Sequence, residues 1–68
     1  MNEETFNLSI RKFLKTVGVG SQREIEQAVA RALAEGRLQG TESLTAKVRL
    51  EVAGLNLLVD FDGKIELA

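Results

Sequence analysis

Few side chains in this sequence could do chemistry, and their spacing narrows the choice further. There is no His and no Cys, so the commonest general base and the strongest thiol nucleophile are both missing. The same absence removes the preferred ligands of zinc and any disulfide. Asp60 and Asp62 stand close together, and Asp60-Phe61-Asp62-Gly63-Lys64-Ile65 has the look of the centre of a calcium loop. Aligned on Gly63, however, the first ligand position falls on Leu58 and the bidentate glutamate position falls beyond Ala68. A turn accounts for both aspartates. A chain of 68 residues would also have trouble enclosing a dry pocket of about 300 Å³. The expectation is a protein that is not an enzyme and has no metal and no cofactor.

Two further constellations invite a binding role. Gly18-Val19-Gly20-Ser21 precedes an expected helix start, where backbone donors attract anions. Phosphate loops follow a strand and carry a lysine that is missing here, so a plain interhelical turn capped by Ser21 explains the segment. Arg11, Lys12 and Lys15 cluster with Leu8, an apolar residue that points away from the apolar stripe of its helix. With the glycine turn, they suggest a DNA-binding helix-turn-helix. Against that, Glu24 and Gln27 fall where the second helix should bury apolar side chains, and Glu24 and Glu26 bring negative charge toward phosphate. Lys47 and Arg49 are balanced by Glu51, Asp60 and Glu66, and no aromatic residue stands among them to stack a base.

The elements that must position these groups follow from periodicity. Asn2 is a good N-cap, with Glu3 and Glu4 in a first turn that favours negative charge. Phe6, Ile10, Phe13, Leu14 and Val17 recur at helical spacing, and Gly18-Val19-Gly20 is expected to break that helix. Ser21-Gln22-Arg23-Glu24 matches a capping box. Ile25, Ala28, Val29, Ala32 and Leu33 make a second stripe, and Gly36 is a natural terminator. From Leu44 the period becomes two. Leu44, Ala46, Val48, Leu50 and Val52 alternate with polar residues, Ala53-Gly54 reads as a turn, and Leu55, Leu57 and Val59 continue the apolar set. Phe61-Asp62-Gly63 reads as a second turn with a bulge, pairing Val59 with Ile65. The expected fold is α+β. Two helices, about 3–17 and 22–35, pack on one face of a three-stranded antiparallel meander, about 44–52, 55–60 and 64–67, in one ααβββ domain over 1–68.

Composition sets the outer limits. The chain is 44% hydrophobic and 28% charged with a net charge of −1, ordinary for a folded protein and without a global pull toward nucleic acid or an anionic membrane. The start Met1-Asn2-Glu3-Glu4 has neither the basic nor the apolar region of a secretory leader. Apolar runs such as Leu57-Leu58-Val59 are far short of a membrane span. The expected location is the cytoplasm, with no membrane partner. Scaffolds this small commonly borrow stability from a disulfide, a metal or a second subunit; with no cysteine and neither preferred zinc ligand, a well-packed monomer or an oligomer is left.

The N-terminal half carries a longer signature. Met1-Asn2-Glu3-Glu4, Phe6-Asn7, Ser9-Ile10-Arg11-Lys12-Phe13-Leu14-Lys15 and Val17-Gly18-Val19, running into Ser21-Gln22-Arg23-Glu24-Ile25-Glu26 and Ala28-Val29, resembles a family of short bacterial proteins of unknown function. The resemblance extends over nearly the full length, more loosely in the β half. It implies a bacterial, cytosolic, stand-alone ααβββ protein that forms a homodimer, and it brings no catalytic or binding residue. The expected function is therefore a small interaction module acting as a homodimer, with an unidentified protein as a possible further partner. Its candidate interaction surface is Leu8, Arg11, Lys12 and Lys15, with Leu58 as an apolar outlier on the polar face of the sheet. The alternative is a nucleic-acid-binding regulator using the same basic face.

Overall fold

A computed structural model describes residues 1–68 as two units, Met1–Arg37 and Leu38–Ala68. The first unit is one helix, α1, over Glu3–Ala34. The second is a hairpin of β1 (Ser43–Val52) and β2 (Leu57–Glu66). The expected two helices and three-stranded meander are therefore wrong on both counts.

Helix α1 starts as its sequence prescribes. The Asn2 side chain accepts from the Thr5 amide at 3.0 Å, and Glu3 and Glu4 occupy the first turn. The helix then runs straight through Gly18-Val19-Gly20, where a break between 17 and 22 was expected. Each glycine weakens a helix by about 1 kcal/mol relative to alanine, a cost that does not forbid helical geometry. Neither Gly18 nor Gly20 has positive φ. Inside a continuous helix the amides near Ser21 already have carbonyl partners four residues back, so the capping box has nothing to cap.

The helix ends at Gly36, as expected, and by a complete mechanism. Gly36 takes a φ of 76°, its amide donates to the Leu33 carbonyl at 3.2 Å, and the Arg37 amide donates to the Ala32 carbonyl at 2.8 Å. That pair of bonds is the Schellman motif, which needs a left-handed residue that glycine supplies without strain.

The hairpin corrects the second half. Its turn is Ala53-Gly54-Leu55-Asn56, with the Asn56 amide donating to the Ala53 carbonyl at 3.1 Å and Asn56 itself left-handed at φ 52°. Asparagine tolerates that conformation better than most residues. The turn is thus longer than the expected Ala53-Gly54, and Val52 faces Leu57 rather than Leu55. Beyond it β2 runs unbroken through Phe61-Asp62-Gly63. Gly63 lacks positive φ and stands opposite Ala46 in the ladder. A second turn there would have left half of the ten-residue β1 without a partner, whereas a straight ten-residue β2 pairs every position from Ser43↔Glu66 to Val52↔Leu57.

Strand alternation puts Leu44, Ala46, Val48, Leu50 and Val52 on one face, opposite Ile65, Gly63, Phe61, Val59 and Leu57. The other face pairs Lys47 with Asp62 and Arg49 with Asp60. Arg49 Nε donates to Asp60 Oδ1 at 2.9 Å, an exposed pair worth about 0.2–1 kcal/mol.

Neither unit contains a core of its own. Ala32, at 6% exposure, is the one buried residue of the chain. Phe13 is 51% exposed in the helix stripe, and Phe61 is 58% exposed on the apolar face of the hairpin.

The glycines give a first prediction. A Cβ built on Gly18 or Gly20 meets nothing within 4 Å. The Gly18→Ala and Gly20→Ala variants should each stabilise the protein by about 1 kcal/mol in urea unfolding, with a parallel gain in far-ultraviolet helix signal. A loss of helix signal would show that the glycines serve a non-helical backbone.

Candidate functional site

Leu8, Arg11, Lys12 and Lys15 fall at i, i+3, i+4 and i+7 of α1 and therefore share one face. That face lies about 180° round the helix from the Phe6, Ile10, Phe13 and Val17 stripe, counted at 100° per residue. Leu8 is 58% exposed. Arg11, Lys12 and Lys15 are exposed and make no ion pair, the two salt bridges of the chain being Arg37–Glu35 and Arg49–Asp60. The basic cluster is thus placed as its spacing indicated.

The continuous helix adds a residue that sequence reasoning missed. Val19, exposed like Leu8, lies four residues after Lys15 and extends the same face by another turn. The expected break had removed Val19 from the helix altogether. The signal was present in the spacing Leu8, Lys12, Lys15, Val19, which is helical throughout.

Leu58, at 60% exposure, stands opposite Glu51 on the polar face of the hairpin. It belongs to the second unit, while Leu8 and the cations belong to the first. Phe61 was missed too. Assigned to a turn, it in fact faces Val48 at the middle of the apolar sheet face. The alternation Leu57, Val59, Phe61, resumed at Ile65 after Gly63, was the signal that could have placed it.

Asp60 is held by Arg49, and Asp62 stands opposite Lys47 in the ladder. No three His, Cys, Asp or Glu side chains come together in a group that could hold a metal ion. The Gly18–Ser21 segment lies inside α1, so its amides are turned into the helix and away from any anion. That correction also ends the helix-turn-helix comparison, which needs a turn there. No helix of the chain is long and apolar enough to cross a membrane.

A dense polar cluster lies within the second unit, in the loop that precedes β1. The Glu42 carboxylate accepts from the amides of Gln39 at 2.8 Å, Gly40 at 2.9 Å and Thr41 at 3.1 Å. These bonds, that of Gln39 first, hold its pKa below the ordinary value of 4.5. Gly40 takes a φ of 98° to present its amide. The arrangement is an anion nest filled by a side chain of its own loop.

A carboxylate whose pKa is lowered by folding stabilises the folded loop above its unfolded value. That contribution is lost as pH falls through the lower folded value. In a pH titration from 7 downward, the Gln39, Gly40 and Thr41 amide resonances should move together, with an apparent pKa below 4.5. Glu42→Gln should abolish the step. Three amides titrating separately would contradict the nest.

Comparison with curated proteins and with solved structures gives no significant match. A family model does match, over residues 1–68. Its coverage of the whole sequence, helix and hairpin together, shows that the chain belongs to the family of unknown function DUF6494.

Proposed function

We propose that this chain is a small, non-catalytic interaction module of the cytoplasm that works as a homodimer. The observation that carries this reading is the missing core. A lone hairpin is marginal in water, and most helices in proteins owe their stability to packing of an apolar face. Here neither unit covers its own apolar face, and Ala32 is the one buried residue. The chemistry of the side chains supports a non-catalytic role, since His and Cys are absent and Asp60 and Glu42 are held by structural partners.

Solution mass by light scattering over a concentration series tests the reading. The expected result is a dimer that persists to low micromolar concentration. A strict monomer at millimolar concentration would overturn it. Leu58→Lys should be measured alongside, and an unchanged mass and stability would take Leu58 out of the interface.

The unpaired cations Arg11, Lys12 and Lys15 favour a second reading, a nucleic-acid-binding regulator. Its phosphate contacts would weaken log-linearly with salt, while a hydrophobic protein interface would respond little.

A further inference from the structure

We propose that two copies of this chain join through the outer edge of β1, antiparallel, about a two-fold axis through Leu50, making one four-stranded sheet in the order β2–β1–β1–β2. This rests on the homodimer reading above and gives it a surface and a register. The first observation is the open ladder. The sheet has two strands, so each keeps one edge without a neighbour. Beyond the bonds of the ladder itself, no backbone group of β1 or β2 takes part in a hydrogen bond. Unpaired edges are templates for another strand, and a sheet gains independent stability when three or more strands share an apolar face.

The second observation is the pattern of charge, which chooses both the edge and the register. Antiparallel copies in one sheet are related by a two-fold axis perpendicular to it. The axis passes through a residue that faces its own copy, and residues equally far on either side face each other. In β1, registers that overlap at five positions or more are centred on residues 45 to 50. Those centred on Lys47, Val48 and Arg49 set cations face to face: Lys47 on Lys47, Lys47 on Arg49, and Arg49 on Arg49. The last does so despite a match of Lys47 with Glu51. Those centred on Thr45 and Ala46 leave the cations against Ser43 and Thr45. Centred on Leu50, Arg49 faces Glu51 twice and no like charges meet. In β2 the comparable registers are centred on residues 59 to 64. From Asp60 to Lys64 every one of them sets acidic side chains face to face, and the one on Val59 sets Asp60 against Leu58. Like charges directly opposite destabilise a sheet, and opposite charges support it. A second copy is the occupant because the complementarity is that of β1 with itself.

This register uses a carboxylate that its own chain leaves free. Glu51 is exposed, stands opposite Leu58 and belongs to neither ion pair of the chain. Across the new edge it meets Arg49, which already holds Asp60 at 2.9 Å, so the guanidinium ends between two carboxylates. On the apolar face Leu50 meets Leu50 and Val48 meets Val52, the kind of cross-strand pairs that stabilise sheets.

Hydrogen exchange on the unsubstituted chain tests the edge. Alternate amides of an antiparallel strand point to opposite sides, so an edge strand protects every second amide and a central strand protects them all. In a sample that light scattering shows to be dimeric, all amides from Val48 to Val52 should be protected, while every second amide of β2 exchanges at least tenfold faster. Alternate β1 amides as fast as those of β2 would overturn the edge pairing and leave the homodimer reading standing. A monomeric mass would end both.

Cross-linking tests the register. The chain has no cysteine of its own. Leu50→Cys places the two thiols on directly opposed residues, about 4.5–5.5 Å apart at Cα, which is within disulfide reach. The two Ala46→Cys positions stand about 26 Å apart along the strands. On mild oxidation the disulfide at position 50 should outweigh that at 46 at least tenfold, and equal yields would overturn the register. Glu51→Lys is a check at an exposed position that leaves the contacts within the hairpin intact. It should raise the dissociation constant roughly tenfold, and an unchanged constant would overturn the pairing of Arg49 with Glu51.

Discussion

Phe61→Asp is expected to destabilise this protein by about 3 kcal/mol per chain, enough to unfold a domain of marginal stability. The number follows from what must cover the ring. Within its own unit Phe61 faces Val48, with Val59 on the same strand face, and more than half of its surface is open. An aspartate left in that exposure would cost little, in the range of an ordinary surface substitution of about 0.5 kcal/mol. A loss several times larger means that the apolar sheet face is covered in the working protein and that a charge there is trapped against apolar atoms. Urea unfolding of the variant, with Leu58→Lys as the comparison from the opposite face, separates the two cases. A Phe61→Asp loss of under 0.5 kcal/mol would mean that the sheet face is solvated and contributes nothing to assembly.

The second large effect is expected at Phe13. For an obligate dimer, folding and association are one equilibrium, so each tenfold rise in protein concentration adds about 1.4 kcal/mol. For two chains of this size that corresponds to about 5 °C in Tm. Phe13→Asp places a carboxylate on the apolar helix stripe of both chains of the proposed homodimer and should raise its dissociation constant roughly 1,000-fold. The variant should be monomeric at micromolar concentration, with weak helix signal and melting that no longer depends on concentration. Differential scanning calorimetry at several concentrations of both proteins reads this directly. A concentration-independent Tm for the unsubstituted chain would sink the prediction, because it would show a monomer that folds without help.

Both expectations concern residues whose place in the chain was read with unequal success. Phe13 was placed by helical periodicity alone. Phe61 was lost to a turn because Asp62-Gly63 is a strong local turn signal, and local signals compete with pairing between distant segments. The ladder decided otherwise. A straight β2 satisfies ten positions of β1 and sets Asp62 against Lys47 and Asp60 against Arg49. No local rule contains that gain, since it depends on residues more than ten positions away. The Gly18-Val19-Gly20 error is of the same kind. Two glycines and a capping box are evidence for a helix end, yet helix propensity differences of about 1 kcal/mol per residue are overridden when the flanking turns are strongly helical. The basic face survived the error because Arg11, Lys12 and Lys15 lie within one uninterrupted stretch of either reading.

The sequence by itself determined the ends and the faces. Asn2 capped the helix, Gly36 closed it through a left-handed residue, and alternation from Leu44 separated an apolar from a charged sheet face. These are properties of single residues and short periods, set by local sterics and hydrogen bonding. The structure decided how many elements there are. Whether Gly18–Gly20 and Asp62-Gly63 interrupt the chain depends on what the flanking segments gain by continuing, and that gain is summed over a 32-residue helix and a ten-residue ladder. Neither unit covers its own apolar face, where periodicity had promised a core. Periodicity marks the residues that need covering. Only the packing of whole elements, in one chain or between two, determines what covers them.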